Sequence, residues 1–193
     1  MKTVILLAGL LALVGPPDLT SVPSARVTVG DSLSDDESLQ NSCSLGCAIG
    51  WQVHASSAAR DHPAKHLDDG SIQTAWVPSD VNRSPEVVFS FPKKLFGAIG
   101  HPIPFRGFEI CPGFAGVVDL WHAYARPRTL LISHNGRPLA IAHLEDRRVD
   151  QSISVHPQDL NPGDTVSVKV LSVFPGKRSN TVAIAELVPQ GAH

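Results

Sequence analysis

An Asp-Gly turn, a threonine and a tryptophan fall within eight residues in Asp69-Gly70-Ser71-Ile72-Gln73-Thr74-Ala75-Trp76. Glycine accepts backbone angles that other residues resist, so Asp-Gly marks a sharp turn. The Asp69 carboxylate and the Thr74 hydroxyl are hard oxygen donors, and a tight loop between them adds backbone carbonyls, the donor set of a calcium ion. Trp76 supplies a large apolar body that can pin the loop to a core. The competing reading is a capped turn leading into a strand, with Asp68 as a solvated spare carboxylate.

A second cluster suits sugars. Leu120-Trp121-His122-Ala123-Tyr124-Ala125-Arg126-Pro127-Arg128 gathers two aromatic rings and two guanidinium groups. An aromatic face covers the apolar face of a pyranose, and a guanidinium forks hydrogen bonds to neighbouring hydroxyls. Arg60 and His62, with His66, precede the Asp-Gly loop and can line the same end. The alternative places Trp121 and Tyr124 in the core with the arginines on its rim. His62 and His66 also invite zinc, but Pro63 spoils a helical pairing and spacing places no third ligand.

Catalytic patterns are missing. The chain has no Gly-x-Ser-x-Gly elbow, no phosphate-binding glycine loop, no His-Glu-x-x-His and no cysteine in a recognisable nucleophile context. A non-catalytic protein is expected. Formal charge is balanced at −2, without a basic run, which argues against a nucleic-acid partner.

The elements that must hold these groups are strands. Sixteen Pro and fifteen Gly in 193 residues favour short strands and turns over long helices. Asn135-Gly136 between the apolar runs Thr129–His134 and Arg137–His143 is a strong hairpin signal. Further strands are expected at 49–54, 87–91, 105–110, 152–155, 165–174 and 180–188, with Asn161-Pro162-Gly163 as a turn. Some eight short strands without a repeat argue a single sandwich domain.

The N-terminus reads as an export signal. Lys2 precedes an apolar run from Val4 to Val14, too short to span a bilayer and suited to a secretory leader. Removal after Ser24 is expected, with Ala25 as an alternative, giving a secreted or periplasmic protein; a retained anchor is the rival reading. Residues 25–46 read as a flexible acidic arm, because Asp31, Asp35, Asp36 and Glu37 sit among few apolar residues. Cys43 and Cys47 can close a local disulfide, or one of them can reach Cys111. The folded domain is expected over 47–190.

Five pieces in this order carry a resemblance: Ala55-Ser56-Ser57, Asp69-Gly70 to Trp76, Phe105 to Ile110, Val173-Phe174-Pro175-Gly176-Lys177 and Ala183-Ile184-Ala185-Glu186-Leu187. Over roughly residues 49–188 the chain resembles the galactose-binding-like jelly rolls, which include the discoidin or coagulation-factor C-type domains. It is most similar to a bacterial branch described as NADase-type glycan-binding domains. The resemblance implies an all-β galactose-binding-like sandwich that recognises a glycan or cell-surface polysaccharide. It also implies a structural calcium ion held by Asp69, Thr74 and Glu186, the last strand clamping the first loop. The glycan-binding residues expected from the clustered rings and guanidinium groups are Arg60, His62, Trp121, Tyr124 and Arg126. The alternative function is a structural or protein-interaction sandwich, with a protein partner and no sugar site.

Overall fold

The computed structural model describes residues 18–33, 50–80, 84–93 and 101–191. The apolar run at 4–14, the acidic stretch at 35–37, Cys43 and Cys47 lie outside them. Among the described residues there are nine strands: β1 (Arg26–Val29), β2 (Gln52–Ala55), β3 (Glu86–Ser90), β4 (Ile103–Pro112), β5 (Arg126–His134), β6 (Arg137–His143), β7 (Gln151–Leu160), β8 (Thr165–Phe174) and β9 (Ile184–Gly191). They pair in two antiparallel sheets, β1-β7-β4-β9 and β2-β3-β8-β5-β6. The sandwich architecture is as expected. No helix among the described residues is long and apolar enough to cross a membrane.

Period-two alternation builds the core. On β8, Val166, Val168 and Val170 turn inward, where they meet Val87 and Phe89 of β3 and Leu130 and Ile132 of β5. On β4 the alternation slips by one residue: Phe105 and Phe108 are both fully buried, with ring centroids 5.2 Å apart. A register shift between Phe105 and Gly107 absorbs the extra residue. Only glycine fits there, since φ is +144° and an added Cβ would lie 1.8 Å from the Ile153 carbonyl oxygen.

Two expectations are corrected. Part of the arm is structure: Arg26–Val29 pairs with β7, and Val27 packs against the core. Just before it, Pro23 accepts the Ile141 N–H at 2.9 Å and Ala25 donates to the Ile141 carbonyl at 2.8 Å. The segment therefore laces β6 of one sheet to β7 of the other, which brings four sparse apolar residues enough contacts to order. The second correction is a short helix, α1 (Val118–Ala123), which overlaps the start of the segment Leu120–Arg128 read as a sugar-binding cluster.

The Phe-Pro-Gly-Lys piece has a structural task at that helix. Lys177 N–H donates to the His122 carbonyl at 2.9 Å, and Arg178 and Ser179 both donate to the Ala123 carbonyl. These bonds satisfy the orphan carbonyls of the helix C-terminus. The turn lies so close that a Cβ on Gly176 would sit 2.4 Å from the Ala123 oxygen.

Candidate functional site

Asp69 and Glu186 meet at one backbone amide. The Asp-Gly turn, with Gly70 at φ +73°, aims Ser71 N–H at Glu186 Oε1, 2.9 Å away, and at Asp69 Oδ1, 3.1 Å away. Thr74 Oγ1 donates to Asp69 Oδ2 at 2.8 Å. The loop is anchored as its sequence suggests. Trp76 is fully buried, exchanges backbone hydrogen bonds with Ile184, and donates its indole N–H to the Ser57 carbonyl at 2.9 Å. The structure thus gathers Asp69, Thr74 and Glu186, although 115 residues separate Ser71 from Glu186.

Charge is concentrated here. Glu186 is 1% exposed. Its carboxyl is pushed up to about 8, first by burial and then by the Asp69 and Asp68 carboxylates, against the opposing pull of Ser71 N–H. Asp68 is also raised, by burial first, although its hydrogen bond from Trp51 Nε1 at 2.7 Å opposes the shift. Among the described residues no three His, Cys, Asp or Glu side chains form a ready-made metal centre. A cation here would need oxygens of other kinds, and Thr74 Oγ1 and the Ser71 carbonyl, 3.0 Å apart, lie in the same turn. The donors are all hard oxygens, the type that calcium takes, with Glu186 buried and Asp68 and Asp69 exposed beside it. Cys111, opposite Glu186 on β4, is a free, fully buried cysteine whose thiol is pushed up by burial.

The sugar candidates lie at the end of the sandwich where β4 stops and β5 begins, and they divide into two groups. His62 and Tyr124 are half-buried and both flank Phe114, at centroid distances of 5.3 and 4.9 Å; Arg60 is exposed in the adjoining turn. Trp121 and Arg126 form a separate, internal pair and are not available as ligand-binding groups. Trp121 is 8% exposed, its indole N–H donates to the Pro112 carbonyl at 3.2 Å, and the Arg126 guanidinium covers its ring at 4.6 Å. Arg126, 7% exposed, forks onto Asp146 at 3.0 and 2.8 Å and donates to the Tyr124 and Pro175 carbonyls. A ring covered by a guanidinium, and a guanidinium with its fork occupied, leave nothing for a pyranose.

A groove of about 290 Å³ is lined by Pro78, Asp80, Ser84 and Pro85, by the end of β8 and by the segment 180–182. β3 pairs with β8 as far as Glu86 and Lys169, and the preceding Pro85 still accepts the Val170 N–H at 2.8 Å.

No protein-family model and no curated protein matches the chain. Solved structures do. A Clostridium perfringens ZmpB structure with two CBM32 domains and an M60 catalytic domain superposes with TM-score 0.64 at 10% identity, over 89% of this chain and 17% of that one. The two CBM32 domains of the same protein in complex with GalNAc give 0.55 at 15%, over 89% and 44%. A third CBM32 domain, from a Clostridium perfringens family 31 glycoside hydrolase, gives 0.53 at 13%, over 72% and 88%. The fold is that of the galactose-binding-like sandwiches. The chain spans under half the length of the ZmpB structures it matches.

Within that galactose-binding-like frame, sequence reading missed the groove completely. Its polar lining includes Asp80, Ser84 and Asn180, ordinary loop residues about a hundred positions apart. The available signal was indirect: Pro78 and Pro85 line it, and neither has an N–H to donate to a ladder.

Proposed function

We propose that the protein is an exported, non-catalytic glycan-binding module whose sugar site is the loop end formed by Arg60, His62 and Tyr124. One observation supports it above the others: on a galactose-binding-like sandwich, half-buried His62 and Tyr124 and exposed Arg60 gather at one loop end. Tyr124 and His62 offer ring surface to sugar C–H groups, and Arg60 donates forked hydrogen bonds to hydroxyls. Calcium, held by Asp69, Thr74 and Glu186, supplies positive charge that ties the first loop to the last strand. Its task is structural. The ligand class that the GalNAc-bound neighbour suggests as a first probe is a terminal N-acetylhexosamine or hexose.

A glycan array probed with the purified protein in calcium should give discrete hits, including galactose- or GalNAc-terminated glycans. Silence across the array would sink the lectin reading in favour of a structural or protein-binding sandwich. Export rests on the Lys-led apolar run, and mass spectrometry of protein recovered outside the cytoplasm should show loss of Met1 to about Ser24. An intact Met1 would refute processing. A cut after Ser24 removes the Pro23 carbonyl that accepts Ile141 N–H, and keeps the Ala25 bond.

A further inference from the structure

We infer that calcium on Asp69, Thr74 and Glu186 sets the affinity of the sugar site at Arg60, His62 and Tyr124, because one stretch of chain, residues 69–77, serves both. The inference rests on the glycan-binding and calcium readings above and adds to them a regulatory link between the two sites.

The link is a continuous set of contacts. At its acidic end, Asp69, Ser71 and Thr74 close the turn onto Glu186. The residue after Thr74, Ala75, is fully buried in a cluster with Val77, Phe114 and Ala183, against which Ala59 and Tyr124 pack. Ala59 directly precedes Arg60. The Ala75 carbonyl oxygen lies 3.1 Å from His66 Nδ1, and the His66 and His62 rings meet edge-on with centroids 6.5 Å apart. Ala75 therefore adjoins the supports of both His62 and Tyr124.

A second contact runs beside the first. The Ile72 carbonyl, in the middle of the turn, accepts the Gly116 N–H at 2.7 Å. The fit is tight, since a Cβ on Gly116 would lie 2.6 Å from the Ile72 oxygen and 2.6 Å from the Gln73 amide nitrogen. Gly116 closely follows Phe114, the ring that His62 and Tyr124 flank, and precedes Val117, whose carbonyl accepts the Trp121 N–H in α1. Both loops also rest on the strand that carries Glu186: Trp76 N–H donates to the Ile184 carbonyl and Gly113 N–H to the Ala183 carbonyl just before it. The direction of the effect follows. Without a cation, two carboxyl groups share one donor, Ser71 N–H, and the sugar must order the turn, Ala75 and Gly116 as it binds. With Asp69, Thr74 and Glu186 already fixed, that ordering cost falls and the sugar binds more tightly. Linkage requires the sugar to tighten calcium by the same factor.

The test is calorimetric titration of the purified protein with N-acetylgalactosamine or, where another sugar scores higher on the array, with that sugar, in calcium and in chelator. Calcium chloride is then titrated with and without saturating sugar, at a temperature where circular dichroism shows the protein folded in all four conditions. The sugar should bind at least about fivefold more tightly in calcium, and calcium should bind more tightly by the same factor in sugar. In Gly116→Ala the added methyl must part Gly116 from the turn, so the sugar should bind equally with and without calcium while calcium still binds. Equal sugar affinity in the parent under both conditions, with calcium bound, would overturn the link and leave both sites standing. Sugar binding with no calcium binding would overturn the link and the calcium reading together. No sugar binding in either condition, joined to a silent array, would overturn the glycan reading and this inference with it. A folded Gly116→Ala that keeps the full difference would overturn the path through Ile72, and the four affinities of the parent decide the link even where that variant does not fold.

Discussion

Stripped of divalent cations, the protein should lose stability as the pH rises from about 5 to about 8, and calcium should restore it. The sign follows from Glu186. In the folded protein its carboxyl keeps a proton up to about 8, against an ordinary value of 4.5 in the unfolded chain. Between those values the native state binds more protons than the unfolded state, so stability falls with rising pH. Asp68, also raised, acts in the same direction. The loss expected by pH 8 is on the order of 2–4 kcal/mol. Calcium binds the deprotonated carboxylates, so its benefit should grow across the same window, to about 2.7 kcal/mol at a hundredfold excess over its dissociation constant. Urea unfolding at pH 5, 6.5 and 8, with chelator and with calcium, reads both effects. Glu186→Gln should flatten the chelated profile and abolish the calcium response. Chelated curves that coincide at all three pH values would contradict the assignment of a buried, strained carboxylate.

Trp121→Ala and Tyr124→Ala should have opposite consequences, although only three positions separate them. Trp121 fills the space under α1, with its indole N–H bonded and its ring covered by Arg126. Its removal leaves a cavity and uncovers the guanidinium, for a loss of about 3–5 kcal/mol. Tyr124 is half-buried against Phe114, so truncation should cost roughly 1 kcal/mol through the lost aromatic pair. Glycan binding should disappear in Tyr124→Ala while the fold persists; Trp121→Ala should still bind below its lowered melting temperature. The pair is checked by thermal melts alongside binding to an array hit. Full binding by Tyr124→Ala would move the sugar site elsewhere.

Strands with unbroken alternation were legible in the sequence. Thr165–Phe174 was expected with the same ends that β8 has, because valines alternate with Ser and Lys and turn residues flank the run. The Asn135-Gly136 hairpin was equally plain, and Asn135 takes the positive φ of 48° that such a turn requires. β1 was not, since Arg-Val-Thr-Val among Ser and Asp shows its purpose only when β7 lies beside it. Helix α1, at six residues, is too short to show a 3.6-residue period. The loop half of the clasp, Asp69 and Thr74, could be read locally. Glu186 came only from the family resemblance, since nothing local says that a strand carboxylate meets a turn 115 residues away. Arg126 misled because its partner Asp146, in an ordinary polar loop, cannot be distinguished there from a solvated acid.

The most direct test of the glycan site is a heteronuclear NMR titration of the labelled protein, in calcium, with a sugar that scores on the array. Saturable shift changes should be confined to the backbone amides of Arg60, His62, Tyr124 and their immediate neighbours. Shifts centred on the opposite end of the sandwich, at Asn135 and Asp164, or no saturable shifts at all, would contradict the site proposed here.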